Sequence, residues 1–414
     1  MRIAVMGAGV IGVTTAYQLA RDGHEVMVIE RHPGPAEETS FANAGLVAPG
    51  HAYAWSSPRA PKILLKSLIR DDQALRFKLS ADPALWSWTL KFLGQCTTDR
   101  AARNTRNKHR LCLYSQAALH EVVADTGVAF DGATGGLLYL YRDPANFDRA
   151  VANMAILRDG GQDLRPVDGA EAARLDPALA HAKDDIAGAI YCPTDESGDA
   201  HLFTGALADV LAARGVTFEF GVTIRHIATA GTRVEKIVTD RGDRTADAYV
   251  LALGCQAAAM ARPLGVKLPI YPIKGYSVTL PIAGRNNAPR LGGVDEDNLV
   301  AYGRFGDRLR ITATAEFAGY DTGHTPTDFS GMLNVARGLF PDGGDYDKPR
   351  YWAGLRPMTP EGTPMLGAGR HDNLHFNVGH GHMGWTMAAG SARIVADLIA
   401  GRAPEIDLDG LTPR

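Results

Sequence analysis

Two short apolar runs near the start of the chain, residues 2–6 and 25–29, each stop at a turn signal. That is the pattern of strands buried on both faces. Between them Val10, Val13, Tyr17 and Ala20 recur about once per helical turn, and Gly23 stands where a helix-ending glycine belongs. The reading is one β-α-β unit. Residues 60–125 read as mainly helical, with no glycine between Gly94 and Gly127. Residues 136–141 read as a strand, followed by helices at 145–158 and 169–175. Strands at 186–192 and 216–224 flank a helix at 201–214. A hairpin is expected from residues 234–239 and 249–253, turning at Arg241-Gly242. Residues 270–280, 298–303 and 308–314 are rich in aromatic and β-branched side chains and predict an antiparallel sheet. The tail returns to strand 373–378 and helix 385–400, ended by Gly401. The pattern predicts an α/β protein whose nucleotide domain is discontinuous, made from the two ends and a middle piece.

Length and composition narrow this picture. With 414 residues the chain exceeds one ordinary core and suits two domains. A net charge of −3 gives no reason to expect nucleic acid as a partner. Cys96, Cys112, Cys192 and Cys255 are far apart and form no C-x-x-C pair, so free thiols in a reducing compartment are expected. The opening Met1-Arg2-Ile3-Ala4-Val5-Met6 reads as a strand and lacks the features of a signal peptide. No run of about 18 apolar residues predicts a transmembrane helix. A cytoplasmic protein is the expectation. Arg100, Arg103, Arg106, Lys108 and Arg110 have helical spacing. They read as a solvated face, or as a dock for acidic lipid headgroups or an electron acceptor.

The candidate chemistry begins at Gly7-Ala8-Gly9-Val10-Ile11-Gly12, a G-x-G-x-x-G that follows a strand and opens a helix. Gly7 permits the tight turn, Gly9 lets backbone approach a pyrophosphate, and Gly12 lets helix and strand pack closely. The helix start offers free N–H groups and the positive end of its dipole. Glu30, at the end of the second strand, is placed to accept hydrogen bonds from a ribose. The motif does not separate FAD from NAD. The small-residue run Thr39-Ser40-Phe41-Ala42-Asn43-Ala44-Gly45 can lie along a cofactor or be a plain turn. A second G-x-G-x-x-G, Gly379-His380-Gly381-His382-Met383-Gly384, has too little chain after it for a second nucleotide unit. It reads as a loop bringing backbone and a helix start to a flavin ring, where developing negative charge is stabilised. His380 and His382 lack the nearby Asp, Glu or Cys of a metal site, so a loop role at the flavin is expected. Arg356 stands among apolar and proline neighbours in Trp352-Ala353-Gly354-Leu355-Arg356-Pro357-Met358-Thr359-Pro360. It clamps either a substrate carboxylate or an internal acid.

On these residues the chain resembles the FAD-dependent D-amino acid dehydrogenases, within the wider group that holds glycine oxidase, sarcosine oxidase and D-amino acid oxidase. The resemblance runs essentially end to end. Besides the opening unit and residues 39–45, it is carried by Tyr271-Pro272-Ile273-Lys274-Gly275-Tyr276-Ser277, residues 352–364 and residues 379–391. It implies a Rossmann-like FAD domain (1–52, 199–266 and 348–414) and an α+β substrate domain on an antiparallel sheet (53–198 and 267–347). FAD contacts are expected from Gly7, Ala8, Gly9, Val10, Ile11, Gly12, Glu30, Arg31, Ser40, Asn43, Ala44, Gly45, Leu46, Val222 and Gly254. Gly381, His382, Met383, Gly384, Trp385 and Thr386 complete that set. Residues 379–386 hold no cysteine, so the FAD is expected to be non-covalent. The resemblance implies that Arg356 pairs with the carboxylate of a D-amino acid, assisted by Tyr276, Tyr302 or Tyr53. A 2-oxo acid and ammonia would be released, and electrons would pass to a quinone or another respiratory-chain acceptor. A peripheral contact with the inner face of the membrane is left open. The alternatives are a related oxidase of glycine, sarcosine, D-proline or D-hydroxyproline, and a nucleotide-binding sensor without catalysis.

Overall fold

The opening unit forms as its pattern predicts: Arg2–Met6 and Glu25–Glu30 pair in parallel, joined by the helix Val10–Arg21. The computed structural model describes residues 1–67, 75–77, 80–282, 284 and 287–413. Strand alternation sends Ile3 and Val5 into the core beneath the helix, and Ala4 and Met6 into the core on the other face. This explains why residues 3–6 are all apolar. Thr217–Phe220 extends the sheet on one side, and Ala248–Leu251 and Leu374–Val378 extend it on the other, all in parallel. Met365–Ala368 closes that second side as an antiparallel edge.

The other large sheet is mixed and mostly antiparallel. Its order is Arg350–Met358, Tyr271–Pro281, Arg308–Phe317, Val300–Phe305, Gly292–Asp295, Leu137–Tyr141, Gly188–Cys192 and Arg165–Val167, with Leu75–Phe77 beside Arg308–Phe317. The architecture is therefore α/β, with a Rossmann-like parallel sheet beside a separate, largely antiparallel one.

Several expectations change. The hairpin forms differently: Arg233–Thr239 pairs with Ile224–Ala230 and Gly242–Arg244, whereas Ala248–Leu251 joins the parallel sheet next to Arg2–Met6. The region 60–125 is three helices, Ala60–Ser67, Pro83–Gln95 and Thr98–Thr126, with Leu75–Phe77 a strand. The basic run is not one wet face, because Lys108 is buried and its Nζ donates to the Tyr53 carbonyl. Arg110 is partly covered and donates to the Asp409 carbonyl at 3.0 Å. Only Arg100, Arg103 and Arg106 are exposed.

Two pieces cross the expected domain division. The helix Thr98–Thr126, inside 53–198, sends Leu111, Leu119 and Val122 into the core that holds Val13 and Trp385. Its Ser115 Cα lies 2.7 Å from where a Cβ on Gly390 would sit, so glycine permits the close helix packing. The strand Arg350–Met358, inside 348–414, belongs to the mixed sheet. An isolated bridge from Met358 to His380 then ties that strand to the glycine loop after Leu374–Val378. The arginine strand and the glycine loop thus meet between the two sheets.

Candidate active site

The opening glycines divide their work. Gly7 has φ 104°, and a Cβ there would meet the Ala252 carbonyl oxygen at 2.7 Å. A Cβ on Gly12 would sit 1.8 Å from the Gly7 carbonyl oxygen, so only glycine lets the helix lie this close. A Cβ on Gly9 would find only Ser40 Oγ, at 3.6 Å, so this side of the turn is open. That open backbone at a helix start fits a diphosphate. Val10 N–H donates to Ser40 Oγ at 3.2 Å, which holds the 39–45 run beside the turn. The Glu30 carboxylate accepts from the Ala8 N–H at 2.8 Å and the His32 N–H at 2.9 Å. These two bonds aim it and leave lone pairs for a ribose.

The 39–45 run is fixed at both ends. Thr39 Oγ1 donates to the Leu355 carbonyl at 2.6 Å, so the loop is tied to the residue before Arg356. Arg310 is held by Asp199 at 3.1 Å and donates to the Asn43 carbonyl at 3.4 Å. At the C-terminal loop, Thr386 Oγ1 accepts from the Ala48 N–H and donates to the Leu46 carbonyl, each at 3.1 Å.

One cavity of about 1720 Å³ runs from the Gly7–Gly9 turn and Glu30 to Arg356 and the Gly381–Met383 loop. Single-ligand sites run roughly 300–1000 Å³, so this one has room for a large cofactor and a second molecule. Every expected site residue lines it except Ala8, Gly12 and Tyr302. Ala8 and Gly12 act behind the wall, through the bond to Glu30 and the close helix contact. No cysteine lines the cavity among the described residues. The donor set fits FAD: an open glycine turn, a ribose acid, and a loop with buried donors. Trp385 Nε1 is one such donor, buried without a protein partner.

Glu30→Ala is expected to weaken FAD retention. Charge-assisted hydrogen bonds contribute about 1.5–3 kcal/mol, so the FAD dissociation constant should rise roughly 10- to 150-fold. Fluorescence titration of apoprotein measures this, and an unchanged constant removes Glu30 from the site.

Arg356 stands on the cavity wall. Among the described residues no carboxylate lies within ion-pair distance of it; its Nη1 donates only to the carbonyls of Thr314 at 2.9 Å and Lys274 at 3.3 Å. Burial without an anion pushes its guanidinium down to about 10, still cationic at neutral pH. Two features seat it. Thr314 has φ 64° at an irregularity between Arg308–Phe317 and Tyr271–Pro281, where the strand pairing slips. Such bulges re-aim backbone groups. The second is Gly275, opposite Gly354 on the neighbouring strand: a Cβ there would lie 2.4 Å from the guanidinium carbon.

The tyrosines separate. Tyr276 lines the cavity, and its hydroxyl donates to Glu316 Oε2 at 2.5 Å. Burial, then that bond, push its pKa up, so it is a neutral phenol. Tyr53 also lines the cavity, and burial followed by the Glu296 charge keeps it neutral. Tyr302 does not belong to the site. On Val300–Phe305 successive side chains alternate; Ala301 faces the cavity, and Tyr302 packs with Leu138, Leu140 and Phe340.

The His51–Glu296 pair had no sequence signal. His51 Nε2 lies 2.6 Å from Glu296 Oε1, and both line the cavity. Burial opposes charge on His51, but Glu296 outweighs it and raises the imidazole above its usual value. His382 behaves oppositely. Burial, together with the positive charges of Lys108, His51 and Arg356, holds it well below the usual histidine range. It is a neutral ring stacked on Trp55 at 4.6 Å.

Known proteins match along the whole chain. The family model for FAD dependent oxidoreductases (DAO) covers residues 2–398. A protein of Mesorhizobium japonicum named D-amino acid dehydrogenase 2 is 45% identical over 412 residues, covering 99% of each chain. A D-amino acid dehydrogenase of Paramagnetospirillum magneticum is 47% identical over 412 residues, covering 99% of this chain and 98% of its own. Among solved structures, glycine oxidase from Geobacillus kaustophilus superposes with a TM-score of 0.75 at 23% identity, over 100% of this chain and 98% of that one. That likeness shows the shared fold. An open dinucleotide cradle joined by one cavity to a buried arginine fits a flavoenzyme, and the chain belongs to the DAO family of FAD-dependent oxidoreductases.

Proposed function

We propose that the chain is a D-amino acid dehydrogenase, which oxidatively deaminates D-amino acids to 2-oxo acids and ammonia and passes the electrons to a quinone or another non-NAD acceptor. The observation that carries this reading is Arg356, a buried guanidinium on the cavity wall with no carboxylate within ion-pair distance among the described residues. A planar fork of this kind takes a carboxylate through two parallel bonds. The relatives' names supply the D configuration.

In this mechanism Arg356 binds the substrate carboxylate and fixes the α-carbon toward the glycine loop. Tyr276 and Tyr53, both neutral, border the same space and donate or accept hydrogen bonds without adding charge. The opening turn, Glu30, the 39–45 run and the Gly381–Thr386 segment would hold FAD, which would supply an acceptor for the α-hydride. Loss of the α-hydride from the neutral amine would leave an imino acid. Water then adds to the imino acid and ammonia departs. Positioning supplies much of the rate.

The test is a steady-state panel with an artificial dye acceptor. D-alanine or D-proline is expected to exceed L-alanine, L-proline, glycine and sarcosine in kcat/KM by at least about tenfold, equivalent to about 1.4 kcal/mol. Glycine or sarcosine surpassing every D-amino acid would move the assignment to the related amine oxidases.

A further inference from the structure

Two acids hold the turn that ends the strand Gly292–Asp295. Asp295 Oδ1 accepts from the Asn298 N–H at 3.1 Å, and its Oδ2 accepts from Arg142 Nε at 2.7 Å. Asp297 Oδ2 accepts from the backbone N–H groups of Arg142 and Asp143, at 2.6 and 2.8 Å. Its Oδ1 accepts from Asn146 Nδ2. The Glu296 side chain, between them, has no part in this scaffold. It lines the cavity, His51 engages only its Oε1, and its Oε2 has no protein partner among the described residues. An ionised carboxylate only accepts, so that oxygen calls for a donor from within the cavity.

His51 is itself braced. Its ring stacks on Tyr139 at 4.9 Å, with 15° between the planes. Tyr139 donates to Asp195 Oδ2 at 2.5 Å, and the same carboxylate accepts from the Gly50 N–H at 2.9 Å. One buried acid thus fixes both the backbone before His51 and the ring beneath it. Glu296 is held by rigid parts on both sides, as a recognition group requires.

The aromatic walls near Glu296 are uncharged. Tyr53 and Tyr141 line the cavity, and burial, then the Glu296 charge, raise both phenols. Neutral rings of this kind tolerate a cation at their faces. Burial alone shifts the Arg356 guanidinium. His382 answers to both ends, because burial and then Lys108, His51 and Arg356 lower it. The carboxylate-binding end of the cavity and the Glu296 end are therefore separate. The α-ammonium of an amino acid, one carbon from its carboxylate, stays with Arg356. What reaches Glu296 is the far end of the side chain.

We propose that Glu296 is a specificity-determining residue that receives an N–H or O–H donor from the far end of the substrate's side chain, with His51 positioning it. The favoured substrates are extended D-amino acids whose side chain ends in a donor rather than a methyl group, an assignment that rests on D-amino acids being the substrates.

The test is a dye-linked kcat/KM panel on the FAD-loaded protein with two matched pairs, D-lysine against D-norleucine and D-glutamine against D-methionine. The first pair reads a cationic donor and the second a neutral one. At least one donor-bearing member is expected to exceed its partner by at least about tenfold, because a site built to bond a donor rejects the analogue that lacks it. Glu296→Leu should lower that ratio at least about tenfold. General damage to the fold lowers both members of a pair and leaves their ratio alone. Should Glu296→Leu fold poorly, His51→Phe keeps a ring on Tyr139 but loses the bond to Glu296, and should lower the same ratio. His51→Gln, which can still donate to Glu296, should recover part of it. Wild-type ratios near one overturn the role of Glu296 while D-amino acid oxidation stands, as does a favoured ratio that Glu296→Leu leaves unchanged. A protein that oxidises no D-amino acid overturns both readings.

Discussion

Arg356→Ala is expected to lower kcat/KM for D-alanine by roughly 30- to several-thousand-fold while FAD stays bound. The guanidinium is buried, and the carbonyls of Thr314 and Lys274 use only its Nη1. Its other donors are left for a carboxylate. Losing one partner of a buried charged pair costs about 2–5 kcal/mol, and each 1.36 kcal/mol is a factor of ten. Arg356→Lys should recover only part of this, because an ammonium cannot reproduce the planar fork. A structural arginine gives the opposite signature: removing it costs folded, flavin-loaded protein. Flavin occupancy is therefore measured first and kinetics second. A flavin-loaded variant with near-normal kcat/KM rules out the carboxylate clamp.

Gly275→Ala should imitate this loss without touching the charge. The new methyl would have to share space with the guanidinium carbon 2.4 Å away. Contacts under 3 Å do not persist, so the guanidinium must shift. A misplacement of about 1 Å at a reacting geometry can cost on the order of 10²-fold. We expect kcat/KM for D-alanine to fall roughly 10- to 100-fold, with FAD retention and melting temperature close to wild type. The strand itself tolerates alanine, since glycine mid-strand is if anything destabilising. Normal kinetics in this variant would mean that the guanidinium does not work from its seat over Gly275.

These two residues also show how far a single sequence carries. Arg356 stood out because an arginine among apolar and proline neighbours needs an anion. The sequence left open whether the anion was internal; among the described residues no carboxylate neighbours the guanidinium, which favours a substrate anion. The parallel sheet was legible where a strand carries a continuous apolar run, as in residues 3–6. Ala248–Leu251 looked like half of a hairpin, because Arg241-Gly242 is a turn signal and its true neighbour, Arg2–Met6, is far away in sequence. Tyr302 failed for a different reason. Period-two alternation fixes that Ala301 and Tyr302 face opposite ways, but not which face borders the cavity. Lys108 carried the spacing of a solvated basic face, yet a carbonyl from Tyr53 draws its ammonium inside, and burial pushes it down to about 8. The His51–Glu296 pair spans 245 positions, so no local motif could announce it.

The most direct measurement of the central claim is anaerobic mixing of the purified, FAD-loaded protein with one substrate at a time, followed at the flavin absorbance band. D-alanine or D-proline is expected to bleach the band within the mixing experiment. The L-enantiomers should leave it unchanged, and Arg356→Ala should bleach far more slowly at equal flavin content. A band that no D-amino acid bleaches, or one that L-amino acids bleach equally well, contradicts the account.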